Sequence, residues 1–450
     1  MLGREGMRHN FFISIAVIAA ASVIGTEARG QQAMTLRDCM QYAVSHSTKV
    51  RIQQAATGDA QLARRDAILS AFLPTLNASS SASYNFGRNI DPETNTYINT
   101  VSFNNGYALS AGITLFNGFS AVNNLRISRT SLKMGRTREK QVEADICLAV
   151  MEAYCNVLYY KRLCEACEEQ VATAEQTLVK ARRQEELGQK GHADVIQMEA
   201  DLADRQYNLI NAANQYESEK MTLADLMFWP TGEELTIDTA VPMWSEESLD
   251  ADAVAGFALQ HDPAVLLAAW GVENARRELN TARWQLLPSL SLNGGWSTSY
   301  YSYQGNQTTP YWEMLRTNGG EYVALTLNVP IFNRLSRQSA IGRKRNALKK
   351  AEAEYDQAQR DVESEVRRAV RDRDGSASAW QQARRKAEVQ SEAYALNLKK
   401  LEQGLISPLE YQTASNNYLK ARADEMESLL KYLIKQAVVK YYSGIEYIDQ

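Results

Sequence analysis

The chain has 450 residues, 45% of them hydrophobic, with 9 Pro and a formal net charge of −4. It is long and apolar enough to bury a core, is not disordered by composition, and lacks the positive excess of a nucleic-acid binder. With 4 His, and no Gly-rich phosphate loop, His/Cys metal cluster or nucleophile constellation, the sequence reads as neither an enzyme nor a cofactor protein.

In chain order, Arg8 precedes an apolar run from Phe11 to Ile24, too short and wrongly flanked for a spanning helix. Small residues at Ala28 and Gly30 follow, so residues 1–30 read as an export signal. Their removal takes away Arg4, Arg8 and Arg29 against Glu5 and Glu27, which makes the mature chain one unit more acidic. A helix is predicted over 36–70. From Leu76 to Phe86 the residues then alternate, with Leu76, Ala78, Ala82, Tyr84 and Phe86 opposite Asn77, Ser79, Ser81, Ser83 and Asn85. That is strand period. A polar loop is expected over 87–106, followed by a strand in which Tyr107, Leu109, Ala111, Ile113 and Leu115 oppose Ala108, Ser110, Gly112 and Thr114.

A Pro-free stretch over 121–187 then predicts one helix of about 68 residues, close to 100 Å long. Four of the five cysteines, Cys147, Cys155, Cys164 and Cys167, fall in it; with Cys39 they make an odd set with no disulfide framework. Cys164-x-x-Cys167 lacks the helix N-terminus of a redox pair and the further ligands of a zinc site, so buried thiols are expected. A turn at 188–192 leads to a helix over 193–228, and residues 236–250 read as a linker.

The same plan then begins again, about 216 residues on. Leu73-Pro74-Thr75-Leu76 returns as Leu287-Pro288-Ser289-Leu290, and Leu115-Phe116-Asn117 as Ile331-Phe332-Asn333. Gly188 with Asp194 returns as Gly404 with Glu410. The second copy has a helix over 251–286, a strand with Leu290, Leu292, Trp296 and Tyr300 on one face, and a loop over 301–320. The next strand carries Val323, Leu325, Leu327, Val329 and Ile331 on one face, before a long helix over 336–403 and a short one over 408–442. Gly375 is the weak point of that long helix. The basic run from Arg343 to Lys350 is followed by Glu352, Glu354 and Asp356, the mixed pattern of a solvated helix face.

Strands that are apolar on one face and rich in Ser, Asn and Thr on the other suit a transmembrane barrel better than a soluble sandwich. Tyr84, Phe86, Trp296 and Tyr300 sit near the strand ends, as an interfacial girdle would. Four strands cannot close a barrel, since the smallest use about eight, so other copies of the chain must contribute. The expected fold is an α+β membrane protein. Its two repeats, 31–235 and 251–450, join a barrel shared between protomers to a long periplasmic coiled-coil barrel.

The duplicated Leu-Pro-x-Leu, the Phe-Asn turns into long helices, and the tips 188–195 and 404–411 together resemble the TolC-type outer-membrane efflux proteins, over nearly the whole mature chain. The resemblance implies a homotrimer in outer-membrane lipid, with a tunnel closed at its periplasmic end. That tunnel would be fed by an inner-membrane transporter through a periplasmic adaptor. It also implies a gate at Glu410 and Asp194, where threefold symmetry would make each acid a ring. Otherwise these acids simply complement helix dipoles. The helix-tip turns and adaptor docking fall to Gly188, Gly191, Gly404, Leu405 and Ser407. The family often has a second acid and a basic residue in the second tip; this chain has Thr413 and Ile406 there. His192, in the first tip, reads as incidental. A periplasmic adaptor or a trimeric adhesin-like stalk is the rival class, but neither explains paired strands in both repeats.

Overall fold

The computed structural model describes residues 33–90, 95–240, 250–303 and 309–450. The signal segment and most of the expected linker lie outside them. The first half runs α1 (Leu36–His46), α2 (Thr48–Phe72), β1 (Thr75–Ile90), β2 (Tyr97–Asn117), α3 (Ser120–Glu186) and α4 (His192–Met227). The second half runs α5 (Ala251–His261), α6 (Pro263–Trp284), β3 (Ser289–Tyr303), α7 (Tyr311–Thr317), β4 (Gly320–Asn328), α8 (Ser336–Glu402) and α9 (Pro408–Tyr442). A 3-10 turn, Tyr447–Asp449, follows.

Both long helices have 67 residues, about 100 Å at 1.5 Å per residue. Gly375 does not break α8. Two expected helices are each divided in two, at matching places. Ser47 leaves helical geometry (ψ 128°) and its Oγ accepts from the Lys49 N–H; Asp262 does the same (ψ 132°), its carboxylate accepting from the Ala264 N–H. Pro263 supplies the reason in the second copy, since a residue before Pro is driven out of the α region. The break was legible as a Ser or Asp N-cap signature.

α3 packs along α2, α4 and α6, and α8 along α6 and α9. The main core lies where α1, α3, α4, α9 and the final turn meet, around Met40, Tyr154, Leu158, Met227 and Leu433. Tyr154 there donates to the Asp238 carbonyl at 2.5 Å. The start of the expected linker is ordered against the N-terminal end: Ile237 bridges Met34, with the Met34 N–H donating to the Thr236 carbonyl at 2.9 Å.

The four strands form one antiparallel sheet in the order β1-β2-β3-β4, so β1 and β4 are its edges. Leu76 pairs with Ala111, Leu109 with Trp296, and Leu292 with both Ile113 and Leu325. Directly opposed residues share a face, so the apolar sets fall on one side as their alternation predicts, except that in β2 the register shifts after Thr114: Leu115 falls in the bulge and Phe116 pairs with Leu290. On the other side Ser110 lies between Asn77 and Gly295, and Ser291 between Thr114 and Thr326. Leu76, Tyr84, Phe86, Val323, Leu325 and Leu327 are exposed in the single chain.

Three expectations about the sheet need correction. The loop placed at 87–106 is largely strand, because β1 runs to Ile90 and β2 starts at Tyr97. Its polar composition hid a period-two pattern, Val101 and Phe103 alternating with Thr100, Ser102 and Asn104. The loop placed at 301–320 contains α7. This helix occupies the edge of β3 above the start of β4: Asn318 Nδ2 donates to the Ser299 carbonyl at 2.8 Å, and the Tyr301 N–H faces Met314 Sδ at 3.2 Å. Lastly, β4 ends at Asn328, so Val329 and Ile331 lie beyond it. Pro330 has no N–H to continue the ladder.

Candidate functional site at the helix tips

Each long helix ends in the same hydrogen-bonded closure. After α3, the Gly188 N–H donates to the Glu185 carbonyl and the Gln189 N–H to Gln184, both at 2.8 Å. After α8, the Gly404 N–H donates to Leu401 at 3.0 Å and the Leu405 N–H to Lys400 at 2.9 Å. These are Schellman closures, which need a left-handed residue. Gly188 (φ +71°) and Gly404 (φ +70°) supply it without Cβ strain.

The short helices restart differently. Gly191 caps α4 in ordinary extended geometry (φ −75°) with no side-chain bond, so nothing in its conformation requires glycine. Ser407 caps α9 with its Oγ, which accepts from the Glu410 N–H at 3.3 Å, and Pro408 takes the first helical position. Asp194 and Glu410 therefore occupy the same third position of equivalent helices, where a carboxylate meets the positive end of the dipole. Glu410, Leu405 and Leu409 are exposed, whereas Ile406 is half-buried. Thr413 bonds back to the Leu409 carbonyl at 2.9 Å. His192 has an acidic partner, Glu185, at 2.7 Å.

Behind the tips the two hairpins are joined. Leu178, Ala181, Val195 and Met198 of the first pack with Leu401 and Tyr411 of the second. Next to that cluster lies a polar knot that no local motif announced. Arg205 Nε donates to Asp201 Oδ2 at 2.7 Å, and its Nη1 donates to Ser415 Oγ at 2.9 Å and to Gln170 Oε1. Ser415 Oγ also donates to Gln170 Oε1. The Arg205 guanidinium lies 6.0 Å from the Tyr411 ring centroid, and the Tyr411 hydroxyl meets that of Tyr394 at 3.1 Å. Burial, and then the bond from Tyr394, push the Tyr411 hydroxyl above its ordinary titration range. The knot thus draws on α3, α4, α8 and α9 at once.

Arg205 is 6% exposed, and its Nη2 has no protein partner among the described residues. A buried guanidinium with one nitrogen unpaired is close to break-even energetically, because desolvation offsets much of the attraction. Such a contact fixes an arrangement more than it stabilises the chain.

A second link ties the long helices directly: Lys180 Nζ meets Glu402 Oε1 at 2.6 Å. Glu402 is thus part of the tip. Cys164 and Cys167 lie away from it, buried with Ala212, and their thiols are pushed up chiefly by burial. No group of three or more potential metal ligands occurs among the described residues. Lys344 pairs with Glu278 at 2.6 Å and Lys350 with Glu354 at 3.5 Å, as a solvated face would.

Comparison with known proteins agrees with this geometry. TolC of Vibrio cholerae serotype O1 is 27% identical over 349 residues, 71% of each chain. VceC, also from Vibrio cholerae, superposes with a TM-score of 0.75 at 14% identity, over 91% of this chain and 96% of that one. The Campylobacter jejuni CmeC outer membrane channel gives 0.74 at 16% identity, over 92% and 85%. The outer membrane efflux protein family matches residues 47–227 and 254–444. The chain belongs to that family of channels, and is an outer-membrane exit duct of the tripartite efflux type with a periplasmic helical extension.

Proposed function

We propose that three copies of this chain close one barrel through their sheets and one tunnel through their helices. The observation that carries this reading is the sheet itself: its predominantly apolar face suits lipid, but its two open edges leave backbone groups unpaired, which lipid does not tolerate until other strands pair with those edges. In this reading the mature protein consists of repeats 31–235 and 251–450 joined through 236–250, with 1–30 removed on export. The tunnel shuts where the tips converge. Glu410 gives one ring of carboxylates and Asp194 another, and the Arg205 knot holds the α3–α4 hairpin against the α8–α9 hairpin while the duct is at rest.

A periplasmic adaptor docks on the turns at Gly188, Gly191, Gly404, Leu405 and Ser407, and connects the duct to an inner-membrane transporter. The exposed Leu405 and Leu409 offer apolar contact for it. The test is native mass of detergent-extracted protein with single-channel recording of the same sample. A trimer with low resting conductance supports the reading; a stable, conducting monomer overturns it.

A further inference from the structure

Resting on the trimer reading above, we infer the register in which β4 of one copy pairs with β1 of the next. The template is inside the chain. β2 and β3 meet where the first repeat joins the second, and in a ring of copies β4 would meet β1 where the second repeat joins the first. Phe116 and Phe332 place β4 positions 216 residues after those of β2, and Pro74 and Pro288 place β1 positions 214 residues before those of β3.

Transferring the observed pairs gives a complete set. Ala111↔Gly294 becomes Leu327 against Ser80, Ser110↔Gly295 becomes Thr326 against Ser81, and Leu109↔Trp296 becomes Leu325 against Ala82. Ala108↔Ser297 becomes Ala324 against Ser83, and Tyr107↔Thr298 becomes Val323 against Tyr84.

Three independent features agree with this register. Every transferred pair keeps its face, outer residues with the outer set and small residues with the inner one, Ser80 being the polar member of the outer pairs; a slip of one residue would mix the faces. Pro330 falls at the position of Thr114, where the β2–β3 register shifts, and a bulge is one of the few places a sheet admits Pro. The upper end also fits: Asn104↔Tyr301 becomes Gly320 against Gly87, so the seam stops at the first residue of β4, where α7 takes over the edge of β3.

The register further assigns a role to the segment after β4. Ile331 is 94% and Phe332 78% exposed in the single chain; transfer sets Phe332 against Leu76 and Val329 against Ala78 of the neighbour. The copy holds along the strands but not through the turn. A Cβ on Gly118 would stand 2.3 Å from the Trp284 carbonyl, and Arg334 occupies the equivalent place. The turn after β4 must therefore stand further from its neighbour than the turn after β2 does from α6.

The test is cysteine cross-linking of the full-length protein in outer-membrane preparations. Ser81→Cys with Thr326→Cys should give a covalent trimer, cleaved by reductant, on oxidation. Ser79→Cys or Ser83→Cys with Thr326→Cys should give at least about ten-fold less, because diagonal partners stand roughly 7–8 Å apart, at or beyond disulfide reach. Each single-cysteine variant is the background for the native thiols. Should the first pair fail to assemble, Ser83→Cys with Ala324→Cys reads the same register. Cross-linking through a slipped pair instead, or through none while native mass still reports a trimer, overturns the register alone. A monomer by native mass overturns the trimer reading beneath it.

Discussion

Arg205 and Ser415 stand 2.9 Å apart, Nη1 donating to Oγ, although 210 positions separate them in the chain. This bond and its neighbours join the two hairpins at one buried layer behind the tips. Removing the cation leaves Asp201, with a side chain 12% exposed, as an uncompensated buried charge. Arg205→Met should therefore cost about 3–5 kcal/mol and raise resting conductance. Adding Asp201→Leu should restore thermal stability, since an apolar pair of similar volume replaces a buried ion pair at little cost. Conductance should stay high in the double variant. If it returns to wild type with the melting temperature, the knot is structural and does not hold the gate.

Neutralising Glu410 removes like charges from a narrow ring in the proposed trimer, so Glu410→Gln should lower cation selectivity and raise resting conductance together. Glu402 cannot serve as the control, because it is bound to Lys180; Glu392, exposed on α8, can. Unchanged conductance and selectivity in Glu410→Gln would reduce this acid to a helix-start residue.

The tip glycines Gly404, before α9, and Gly191, before α4, differ in what they tolerate. Gly404→Ala forces a Cβ into left-handed geometry at about 1–2 kcal/mol, and efflux should fall with tip stability. Gly191→Ser should stabilise α4 by a few tenths of a kcal/mol, since it adds the side-chain cap that Ser407 already gives α9. Thermal melting of both variants distinguishes a conformational requirement from an unused position.

Sheet faces are tested by charge. Leu325→Arg should destabilise the assembled barrel by about 2–4 kcal/mol near the bilayer midplane, whereas Thr326→Arg, one residue on, should be tolerated inside the lumen. Heat-resistant trimer on a gel reports both. Equal tolerance would show that the faces are reversed or that the sheet is not in lipid.

All five thiols are buried and free. Burial pushes Cys39, Cys147 and Cys155 up to about 12, so at pH 8 almost no thiolate is present at these sites. Iodoacetamide should leave all three unmodified in the folded protein for hours and alkylate them within minutes in denaturant, as peptide mass mapping would read. Rapid native labelling of Cys147 would mean that the α3 core opens.

Much of this was legible in the sequence because it is local. Period two marks the strand faces at Leu76–Phe86, Gly188 and Gly404 mark the closures, and the repeat marks the plan. The breaks at Ser47 and Asp262 carried cap signatures, but unbroken helical composition on either side outweighed them. Arg205, Gln170 and Ser415 were not legible. Each is an ordinary polar residue in a polar helix, and its meaning comes from partners 35 and 210 positions away. The same holds for Lys180 and Glu402, 222 positions apart.

The equal length of α3 and α8, 67 residues each, sets a rule for how such a chain can change. Both helices start beneath the same sheet and end in the same closure, so both tips come to one level. Inserting a single turn in one helix would displace its tip by about 5.4 Å, pulling Lys180 from Glu402 and Arg205 from Ser415 while leaving each helix intact. Because α3 packs along α4 and α8 along α9, an insertion near the tip of one long helix keeps these contacts only when its own short partner and the other hairpin lengthen by the same amount.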